Sequence, residues 1–388
     1  MPRVVFVSNY FNHHQASFSD AMFNMPDVEY YFIETTVMSD SRKKLGYGID
    51  EKPKYVLSAY ESEKTRSYCA DLIDKADFVI IGSADDKWLE NRHKQGKFVF
   101  RYNERFYKNG VPKWKIPLIY VRNYCKFGRF KNEYLLCASA FAAADAALTR
   151  TYLGKTYKWG YFPETKLYDL KKLFDKKSRN DKVSILWCGR LIGWKHPDVT
   201  IQLAEKLKKN HIDFSLNIIG CGAMENELQS MIQQKDLSDK VKMLGSMKPD
   251  EVREYMERSD VFLFTSDFRE GWGAVLNESM NSGCAVVASH AIGSVPFLIE
   301  NWRNGIVYQN GNLEQLYNIV EKLIKSPDLR QQIGRNAYKS MTELWNASIA
   351  AERLMVLYND LRKKSFCDQF ETGPCSRAEI IKNGWFRG

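Results

Sequence analysis

The chain has 388 residues, which exceeds the size at which one hydrophobic core keeps growing and predicts two domains of about 150 to 200 residues each. Its composition, with 44% apolar and 27% charged residues, is that of a globular protein, and no apolar run approaches the roughly 18 residues of a membrane-spanning helix. The formal net charge of +10 suggests an anionic partner, such as nucleic acid, a lipid headgroup or a phosphorylated substrate.

The N-terminal half alternates short β-branched runs with helical patterns, which is the rhythm of a parallel α/β sheet. We predict strands over RVVFVSN (3–9), VEYYFIET (28–35), ADFVIIGS (76–83) and KFVFRYN (97–103), and helices over HHQASFSDAMFNM (13–25) and NEYLLCASAFAAADAAL (132–148). The first apolar run, VVFV, is shorter than the core of a signal peptide and no cleavage region follows it, so we expect a cytoplasmic protein.

A basic and aromatic segment spans residues 101–131, with nine Lys or Arg residues against one acid, Glu104. Its aromatic residues are Tyr102, Phe106, Tyr107, Trp114, Tyr120, Tyr124, Phe127 and Phe130. Such a mixture suits an anionic membrane surface, although a solvated basic face over an aromatic core explains it equally well. Single-stranded nucleic acid fits less well, because no RNP-like signature accompanies the segment. The strand end RYNERF (101–106) predicts a local ion-pair cluster, with acceptor contact as the alternative.

The second half begins after a polar and basic segment, 166–182, that we interpret as a linker. We predict strands over VSILWCGRL (183–191), FSLNIIGCG (214–222), KVKMLGS (240–246), DVFLFTS (260–266) and CAVVAS (284–289). Predicted helices lie between them, two of which start with Pro-Asp. This spacing predicts a doubly wound open sheet, in which ligands bind at the carboxyl ends of the strands. From residue 312 onward the pattern is mainly helical and ends in SRAEIIKNGW (376–385).

Two acids flank a glycine-rich loop in FREGWGAVLNESMNSGCAVVAS (268–289). Glu270 follows the strand DVFLFTS, while Gly271 and Gly273 allow a ligand to approach backbone N–H groups at the start of the next helix. Glu278 lies about a turn and a half into that helix, and its side chain tilts back toward the helix start, so both carboxylates can reach one ligand. Considered separately, Glu270 is also explained as an ordinary loop acid and Glu278 as a surface residue of the helix.

Two cations follow another strand end in GRLIGWKH (189–196). Arg190 can bind a phosphate bidentately and Lys195 acts as a point charge, so the two predict a diphosphate site, with exposed surface cations as the alternative. The next strand leads into the Gly-x-Gly loop of Gly220 and Gly222. These two glycines are weak evidence by themselves, because such turns are common at strand ends.

The cysteines and histidines show no metal or disulfide pattern. The eight cysteines form no CxxC pair and lack a secretory context, which favours reduced and mostly buried thiols. They are Cys69, Cys125, Cys137, Cys188, Cys221, Cys284, Cys367 and Cys375. Adjacent residues such as His13 and His14 seldom ligate one metal together, and no HExxH helix occurs, so we predict no metal site.

In this order, GRLIGWKH, IIGCGAMENELQ (218–229) and REGWGAVLNESMNSGCAVVAS (269–289) resemble the retaining GT-B glycosyltransferases of glycosyltransferase family 4. The signature of that family is two glutamates with seven residues between them, a spacing that Glu270 and Glu278 share. The resemblance is specific over residues 183–310 and diffuse in the N-terminal half. It implies two Rossmann-like doubly wound domains that face a central cleft, with a helical C-terminal segment.

The resemblance also implies a role for each site residue. Glu270 would contact the donor sugar, Glu278 the ribose hydroxyls, and Arg190 with Lys195 the diphosphate of a nucleotide sugar. The other members of the donor site would be Gly220, Gly222 and the amides of Gly271, Trp272 and Gly273. The implied reaction is glycosyl transfer with retained anomeric configuration, in which cations neutralise the leaving diphosphate and neither a metal nor another cofactor is required.

The N-terminal half departs from the family pattern after the first strand. Many members have a Gly-Gly loop there, whereas this chain has SNYFNHHQ (8–15). We expect His13 and His14 to donate a proton or a hydrogen bond to the acceptor. A helix capped by Asn12 and followed by exposed histidines explains the same residues equally well.

Four segments are therefore predicted. Residues 1–165 form an acceptor-binding domain, 166–182 a linker, 183–360 a nucleotide-sugar-binding domain, and 361–388 a helical tail that returns to the first domain. The predicted function is transfer of a sugar from a nucleotide-diphosphate sugar to a glycan or lipid-linked acceptor in polysaccharide or glycoconjugate biosynthesis, with the inner membrane face contacted through 101–131. The alternative is a non-catalytic GT-B partner or chaperone of another transferase.

Overall fold

The computed structural model describes residues 1–40, 48, 51–179, 181–364 and 369–387. The chain folds into two compact units, one of Met1–Glu164 with Asn346–Lys382 and the other of Thr165–Trp345 with Asn383–Gly388. Among the described residues, none of the helices is both long enough and apolar enough to cross a bilayer.

The first unit contains a parallel sheet. Its strands are β1 (Arg3–Ser8), β2 (Glu29–Glu34), β3 (Val56–Ser58), β4 (Phe78–Ile81), β5 (Phe98–Asn103), β6 (Glu133–Cys137) and β7 (Thr156–Lys158). Their order is β3-β2-β1-β4-β5-β6-β7, so the direction in which strands are added reverses between β1 and β4. These two central strands are apolar and almost completely buried, as expected when helices cover both faces of a parallel sheet.

Helices cover the sheet of the first unit. They are α1 (His13–Phe23), α2 (Glu63–Lys75), α3 (Glu90–Lys94), α4 (Ile116–Asn123) and α5 (Ala142–Leu148), with 3-10 turns at Asp86–Leu89 and Lys113–Lys115 and a π turn at Tyr124–Gly128. The predicted long helix over 132–148 is wrong in its first half, where β6 pairs with β5 and β7. A run that is buried on both faces has no periodicity to separate strand from helix.

The predicted ion-pair cluster at the end of β5 is confirmed. Arg101 Nε lies 2.8 Å from Glu133 Oε1, and Arg101 Nη2 lies 2.8 Å from Asp86 Oδ1. Arg105 Nη2 lies 3.1 Å from Asp145 Oδ1. Both arginines therefore belong to the interior of the first unit rather than to an exposed basic face.

The second unit contains another parallel sheet. Its strands are β8 (Val183–Cys188), β9 (Phe214–Ile219), β10 (Val241–Met243), β11 (Val261–Phe264), β12 (Ala285–Ser289) and β13 (Ile306–Tyr308). Their order is β10-β9-β8-β11-β12-β13, which reverses between β8 and β11. The predicted pair of doubly wound, Rossmann-like sheets is thus confirmed.

The helices of the second unit begin inside the segment predicted as a linker. They are α6 (Leu170–Ser178), α7 (Pro197–Lys209), α8 (Glu225–Gln234), α9 (Pro249–Arg258), α10 (Val275–Asn281), α11 (Val295–Leu298), α12 (Leu313–Lys325) and α13 (Pro327–Glu343), with a 3-10 turn at Gly193–Lys195. Helix α6 is amphipathic and buries Leu173 and Phe174, which explains why a polar and basic segment is ordered against the second unit.

The chain returns to the first unit earlier than the predicted boundary at 361. Helix α14 (Ala347–Lys363) begins after Asn346, whose side chain accepts a hydrogen bond from the backbone N–H of Ile349. Its Tyr358 ring packs 4.8 Å from Phe78 and 5.4 Å from Phe98, measured between ring centroids. This aromatic contact with β4 and β5 assigns the helix to the first unit.

The predicted helical tail is wrong over 369–387, where the described residues form turns and extended segments. The backbone N–H of Lys158 donates to Ser376 O at 2.8 Å, and Arg377 forms an antiparallel bridge with Tyr157. The tail therefore provides hydrogen-bond partners for the outer edge of β7, whose other edge pairs with β6.

The described cysteines are free thiols, as predicted, and four of them are buried. The buried ones are Cys69, Cys137, Cys284 and Cys375. Cys367 lies outside the described residues.

Candidate active site

Two loops of the second unit leave the sheet where the strand order reverses. The loop after β8 carries Arg190 and Lys195, and the loop after β11 carries Glu270. Because β8 and β11 are adjacent parallel strands, both loops emerge at the same carboxyl edge. A crevice at this point of a doubly wound sheet is the usual position of a ligand site.

Lys195 and Glu270 form an ion pair between these loops. The Lys195 Nζ lies 2.6 Å from Glu270 Oε2, and both side chains are largely buried, with 13% and 11% of their surface exposed. The hydroxyl of Ser266 donates to the same carboxylate oxygen at 3.1 Å. The sequence predicted both residues at the site, but their direct contact is a finding of the structure.

Trp194 joins the two cations, and sequence reasoning missed it. The Arg190 guanidinium lies 5.8 Å from the centroid of the indole ring, and Lys195 Nζ lies 4.9 Å from it. The Trp194 carbonyl accepts a hydrogen bond from the backbone N–H of Asp267 at 2.9 Å, which ties the β8 loop to the β11 loop. An aromatic residue between two cations in GRLIGWKH is a signal that could have identified it.

Gly220 and Gly222 pack closely against the backbone of the loop after β8, which carries Arg190 and Lys195. A Cβ at Gly220, whose φ is +140°, would stand 1.9 Å from Gly189 O, and one at Gly222 would stand 2.4 Å from Leu191 O. The backbone N–H of Leu191 also donates to Cys221 O at 2.9 Å. These contacts give the Gly-x-Gly loop a definite packing role, whereas ligand contact through it stays a prediction.

Gly220→Ala is expected to lower the free energy of unfolding by about 2–4 kcal/mol, because a methyl group there meets a backbone carbonyl in a conformation that favours glycine. For a unit of this size that corresponds to a fall in Tm of roughly 4–16 °C, measurable by calorimetry. Gly193→Ala in the neighbouring loop is the control, since a Cβ there meets no atom within 4 Å. Equal Tm values for the two variants would contradict the packing role.

The glycine-rich loop after β11 positions Trp272 in the core. Gly273 has a φ of +79°, and a Cβ there would stand 2.2 Å from the Phe264 ring. The indole of Trp272 is buried and donates from Nε1 to Asn277 Oδ1 at 2.8 Å. Its side chain therefore packs internally, and the amides of Gly271, Trp272 and Gly273 stay predicted ligand groups.

Glu278 lies on the first turn of α10 and is half-buried. Burial raises the pKa of its carboxyl to about 7, against the opposing effect of the nearby cations Arg253 and Lys166. Burial also raises the pKa of the Cys188 thiol to about 12, with Glu278 adding to that shift and Lys195 opposing it. Glu278 and Lys195 are thus both within electrostatic reach of one thiol at the end of β8.

Asn281 holds the guanidinium of Arg253 and the backbone of Lys166, the two cations that act on Glu278. Arg253 donates from Nη2 to Asn281 Oδ1, which also accepts from the backbone N–H of Lys166 at 2.8 Å. The Asn281 amide returns a bond to Lys166 O at 3.0 Å. Sequence reasoning missed Arg253 and Lys166, because their partner is 28 positions from one and 115 from the other.

His13 and His14 begin α1 in the first unit, where Asn12 caps the helix by accepting from the backbone N–H of His14 at 2.9 Å. The His14 ring stacks on Tyr161, with centroids 5.3 Å apart and planes 10° apart. Burial, with a smaller contribution from His13, lowers the pKa of His14 to about 3. His14 is therefore neutral near pH 7, which suits a hydrogen bond better than donation of a proton by an imidazolium.

Within the described ranges, no group of three or more His, Cys, Asp and Glu side chains is placed to hold a metal ion. The prediction that the reaction requires no metal stays a prediction.

The two doubly wound units define a GT-B fold, and residues 170–340 match the family of glycosyl transferases group 1. The matched segment contains the β8 and β11 loops, with Arg190, Lys195, Glu270 and Glu278.

Comparison with individual proteins agrees with that class. The chain is 28% identical over 159 residues to an uncharacterized glycosyltransferase of Haemophilus influenzae, covering 41% of this chain and 44% of that protein. It is 25% identical over 210 residues to the capsular polysaccharide biosynthesis glycosyltransferase CapM of Staphylococcus aureus, covering 51% and 52%. The chain thus spans about half the length of these relatives. The crystal structure of Anabaena HepE with UDP has the same fold, with a TM-score of 0.66, 14% identity, and coverage of 94% of this chain and 100% of that chain.

Proposed function

We propose that the protein is a retaining glycosyltransferase that moves a sugar from a nucleotide-diphosphate sugar to a glycan or lipid-linked acceptor. The observation that carries this proposal is the ion pair of Lys195 with Glu270 beside Arg190, at the point where the strand order of the second unit reverses. A pair of cations with an acid at that edge provides complementary partners for a diphosphate and a sugar.

Each residue has a role in this proposal. Arg190, which is exposed, binds the diphosphate bidentately, and Lys195 contacts it as a point charge once a ligand competes with Glu270. Glu270 accepts hydrogen bonds from hydroxyls of the donor sugar, and Glu278 accepts them from the ribose. Helix α10 has only seven residues, so the cations rather than its dipole supply most of the positive potential.

The reaction breaks the bond between C1 of the sugar and the oxygen of the β-phosphate, and forms a bond from C1 to an acceptor hydroxyl oxygen on the same face. Negative charge collects on the leaving diphosphate as the sugar becomes oxocarbenium-like. Lys195 and Arg190 stabilise that charge, and the leaving phosphate oxygen can accept the proton of the acceptor hydroxyl. The two glutamates are not the acid and nucleophile of a glycoside hydrolase, because they serve different rings of the donor.

The acceptor and the donor class follow from the relatives as proposals. CapM is named for capsular polysaccharide biosynthesis, and HepE was crystallised with UDP. We therefore propose a uridine nucleotide sugar as the first donor to test. We also propose that the first unit binds the acceptor, with His13 and His14 near it. The reaction would belong to polysaccharide or glycoconjugate assembly at the inner face of the membrane.

Thermal-shift measurements with nucleoside diphosphates and their sugars test donor binding. A ligand present at a hundred times its Kd stabilises the fold by about 2.7 kcal/mol, or roughly 5–10 °C for a unit of this size. We expect Arg190→Ala to abolish the shift of the preferred donor. Lys209→Ala is the matched control, because it removes an exposed cation that pairs only with Glu205 on α7 among the described ion pairs.

An unchanged shift in Arg190→Ala would remove the diphosphate assignment. Turnover is followed by release of the nucleoside diphosphate, and NMR of the product gives its anomeric configuration. A product with inverted configuration would contradict retention, and donor binding without any transfer or hydrolysis would favour the non-catalytic partner.

A further inference from the structure

An apolar stripe lies on the outside of the helical segment between β5 and β6. Its members, spaced by four, three and three residues, are Trp114, Leu118, Val121 and Tyr124, which are 71%, 69%, 59% and 48% exposed. Leu118 and Val121 lie on α4, Trp114 on the 3-10 turn before it and Tyr124 on the π turn after it, and this spacing favours one side of the helical segment for all four. Four large apolar side chains in one continuous row are unusual on a soluble surface and mark an interaction site.

The core of the first unit does not require this stripe. The opposite face of the same segment already packs inward through Asn123 and Phe127, which are buried. The Asn123 amide donates to Tyr107 OH at 2.8 Å and to Thr149 Oγ1 at 3.2 Å. Since the helix is anchored by its inner face, the outer row is available to a partner.

Cations flank the stripe along the chain, and the segment that carries it contains no acid. Residues 105–132 contain no Asp or Glu. Arg105 forms an ion pair with Asp145, and Lys126 forms one with Asp86. The remaining cations next to the stripe, which we call the basic rim, are Lys113, Lys115, Arg122 and Arg129. All four are exposed, and none takes part in an ion pair with a described residue.

We propose that the stripe and the basic rim dock the protein on an anionic phospholipid surface. Aromatic and aliphatic side chains of an interfacial helix enter the boundary between headgroups and acyl chains, while flanking cations meet anionic headgroups. A second copy of the chain is a poorer occupant, because the two basic rims would repel each other. Single-stranded nucleic acid is also poorer, because Leu118 and Val121 at the centre of the stripe cannot stack with bases.

The position of the stripe links it to the proposed function, on which this part of the inference rests. The segment 104–127 leaves from the carboxyl end of β5, and α1 with His13 leaves from the carboxyl end of β1 in the same parallel sheet. A helix bound flat on the membrane would therefore hold that edge of the acceptor-binding unit near the lipid headgroups. This geometry favours an acceptor that is attached to a lipid.

Sedimentation of the full chain with vesicles tests the docking face. At low salt we expect the partition coefficient to be at least tenfold higher for phosphatidylglycerol-containing vesicles than for phosphatidylcholine vesicles. Lys113→Ala with Lys115→Ala should lower anionic binding about thirtyfold, since each cation near such a surface contributes about one factor of five. Leu118→Ser with Val121→Ser should lower it at least tenfold, including at salt concentrations that weaken the rim.

Leu153→Ser is the matched control, because Leu153 is 60% exposed on the same unit and lies outside the stripe. Equal loss in this control, equal binding to both vesicle types, or no binding at low salt would overturn the proposal. So would concentration-dependent dimerisation that Leu118→Ser abolishes without vesicles. Donor binding by the second unit is measured without vesicles, so a thermal shift that persists in the stripe variant separates failure of docking from failure of the proposed function.

Discussion

Lys195→Ala is expected to lower kcat with the preferred nucleotide sugar by about 10²–10³-fold, which is the usual effect of removing one group that stabilises developing negative charge. The Lys195 side chain is 13% exposed and lies at the switch point of the second sheet, where water competes little for a diphosphate. Because the charge on the leaving group grows during the reaction, we expect a smaller change in KM than in kcat. Steady-state kinetics of nucleoside diphosphate release measure both constants.

The same substitution also removes the partner of Glu270, so a stability effect must be separated from a catalytic one. A largely buried carboxylate left without its cation is destabilising, by up to roughly 3–5 kcal/mol for a fully buried pair. Glu270→Gln in the Lys195→Ala background removes that charge and should restore most of the lost Tm. The double variant should nevertheless stay as inactive as Lys195→Ala.

Recovery of kcat together with Tm in the double variant would show that Lys195 acts only through the fold. Lys209→Ala, which breaks an exposed pair within α7, should change neither quantity measurably. Continued inactivity of the double variant assigns the loss to the site only if Glu270→Gln alone keeps more activity than the double variant, so that single variant is measured beside it.

The sequence predicts the central strands of both sheets because their apolar runs have flanking signals. β1, β4, β8 and β11 are short, mostly apolar and bounded by polar or glycine-containing turns, and each is found where expected. Parallel pairing then brings the ends of β8 and β11 to one edge without further information. Hence Lys195 and Glu270 could be placed in one site before any contact between them was known.

The errors fall where long-range packing overrides local pattern. The segment 133–137 is an apolar run that reads equally well as helix, and only its pairing with β5 and β7 makes it a strand. No local signal assigns helix α14 to the first unit. The assignment depends on the contact of Tyr358 with Phe78 and Phe98, which are distant in sequence. Within the tail, Ser376 and Arg377 pair with β7, a long-range contact that no local pattern indicates.

The local sequence pattern also could not predict which residues interact electrostatically within the site. Only the amide of Trp272 is a predicted ligand group, and its indole is buried in the core, where it donates to Asn277. Arg253 has no distinguishing signal in the sequence, yet it is a buried cation that acts on Glu278. Spacing along a chain identifies residues that can meet a ligand, but not the charges that set their protonation.

Glu278→Gln is expected to weaken donor binding about 10- to 100-fold at pH 8, because the ribose hydroxyls lose hydrogen bonds to a charged acceptor. Titration calorimetry with a nucleotide sugar gives the affinity, and the donor itself has no group that titrates near neutrality. The fold should gain stability at the same pH, by at most about 3 kcal/mol and by less where solvent reaches the carboxylate. A residue kept for structure alone would lose stability when replaced.

The pH dependence gives an independent test of that role. Burial raises the pKa of Glu278 from its ordinary value of 4.5 to about 7, so the folded protein binds an extra proton between these values and this group's contribution to stability falls as the pH rises through that window. Donor binding needs the ionised carboxylate and must therefore release a proton below pH 7. Affinity should fall by up to tenfold for each pH unit below 7 in the native protein, and this dependence should be absent in Glu278→Gln. Calorimetry in two buffers of different ionisation enthalpy counts the protons released on binding. If the native protein releases none at pH 6, the protonated acid binds the donor as well as the ionised one does, which would contradict the assignment of Glu278 to the ribose.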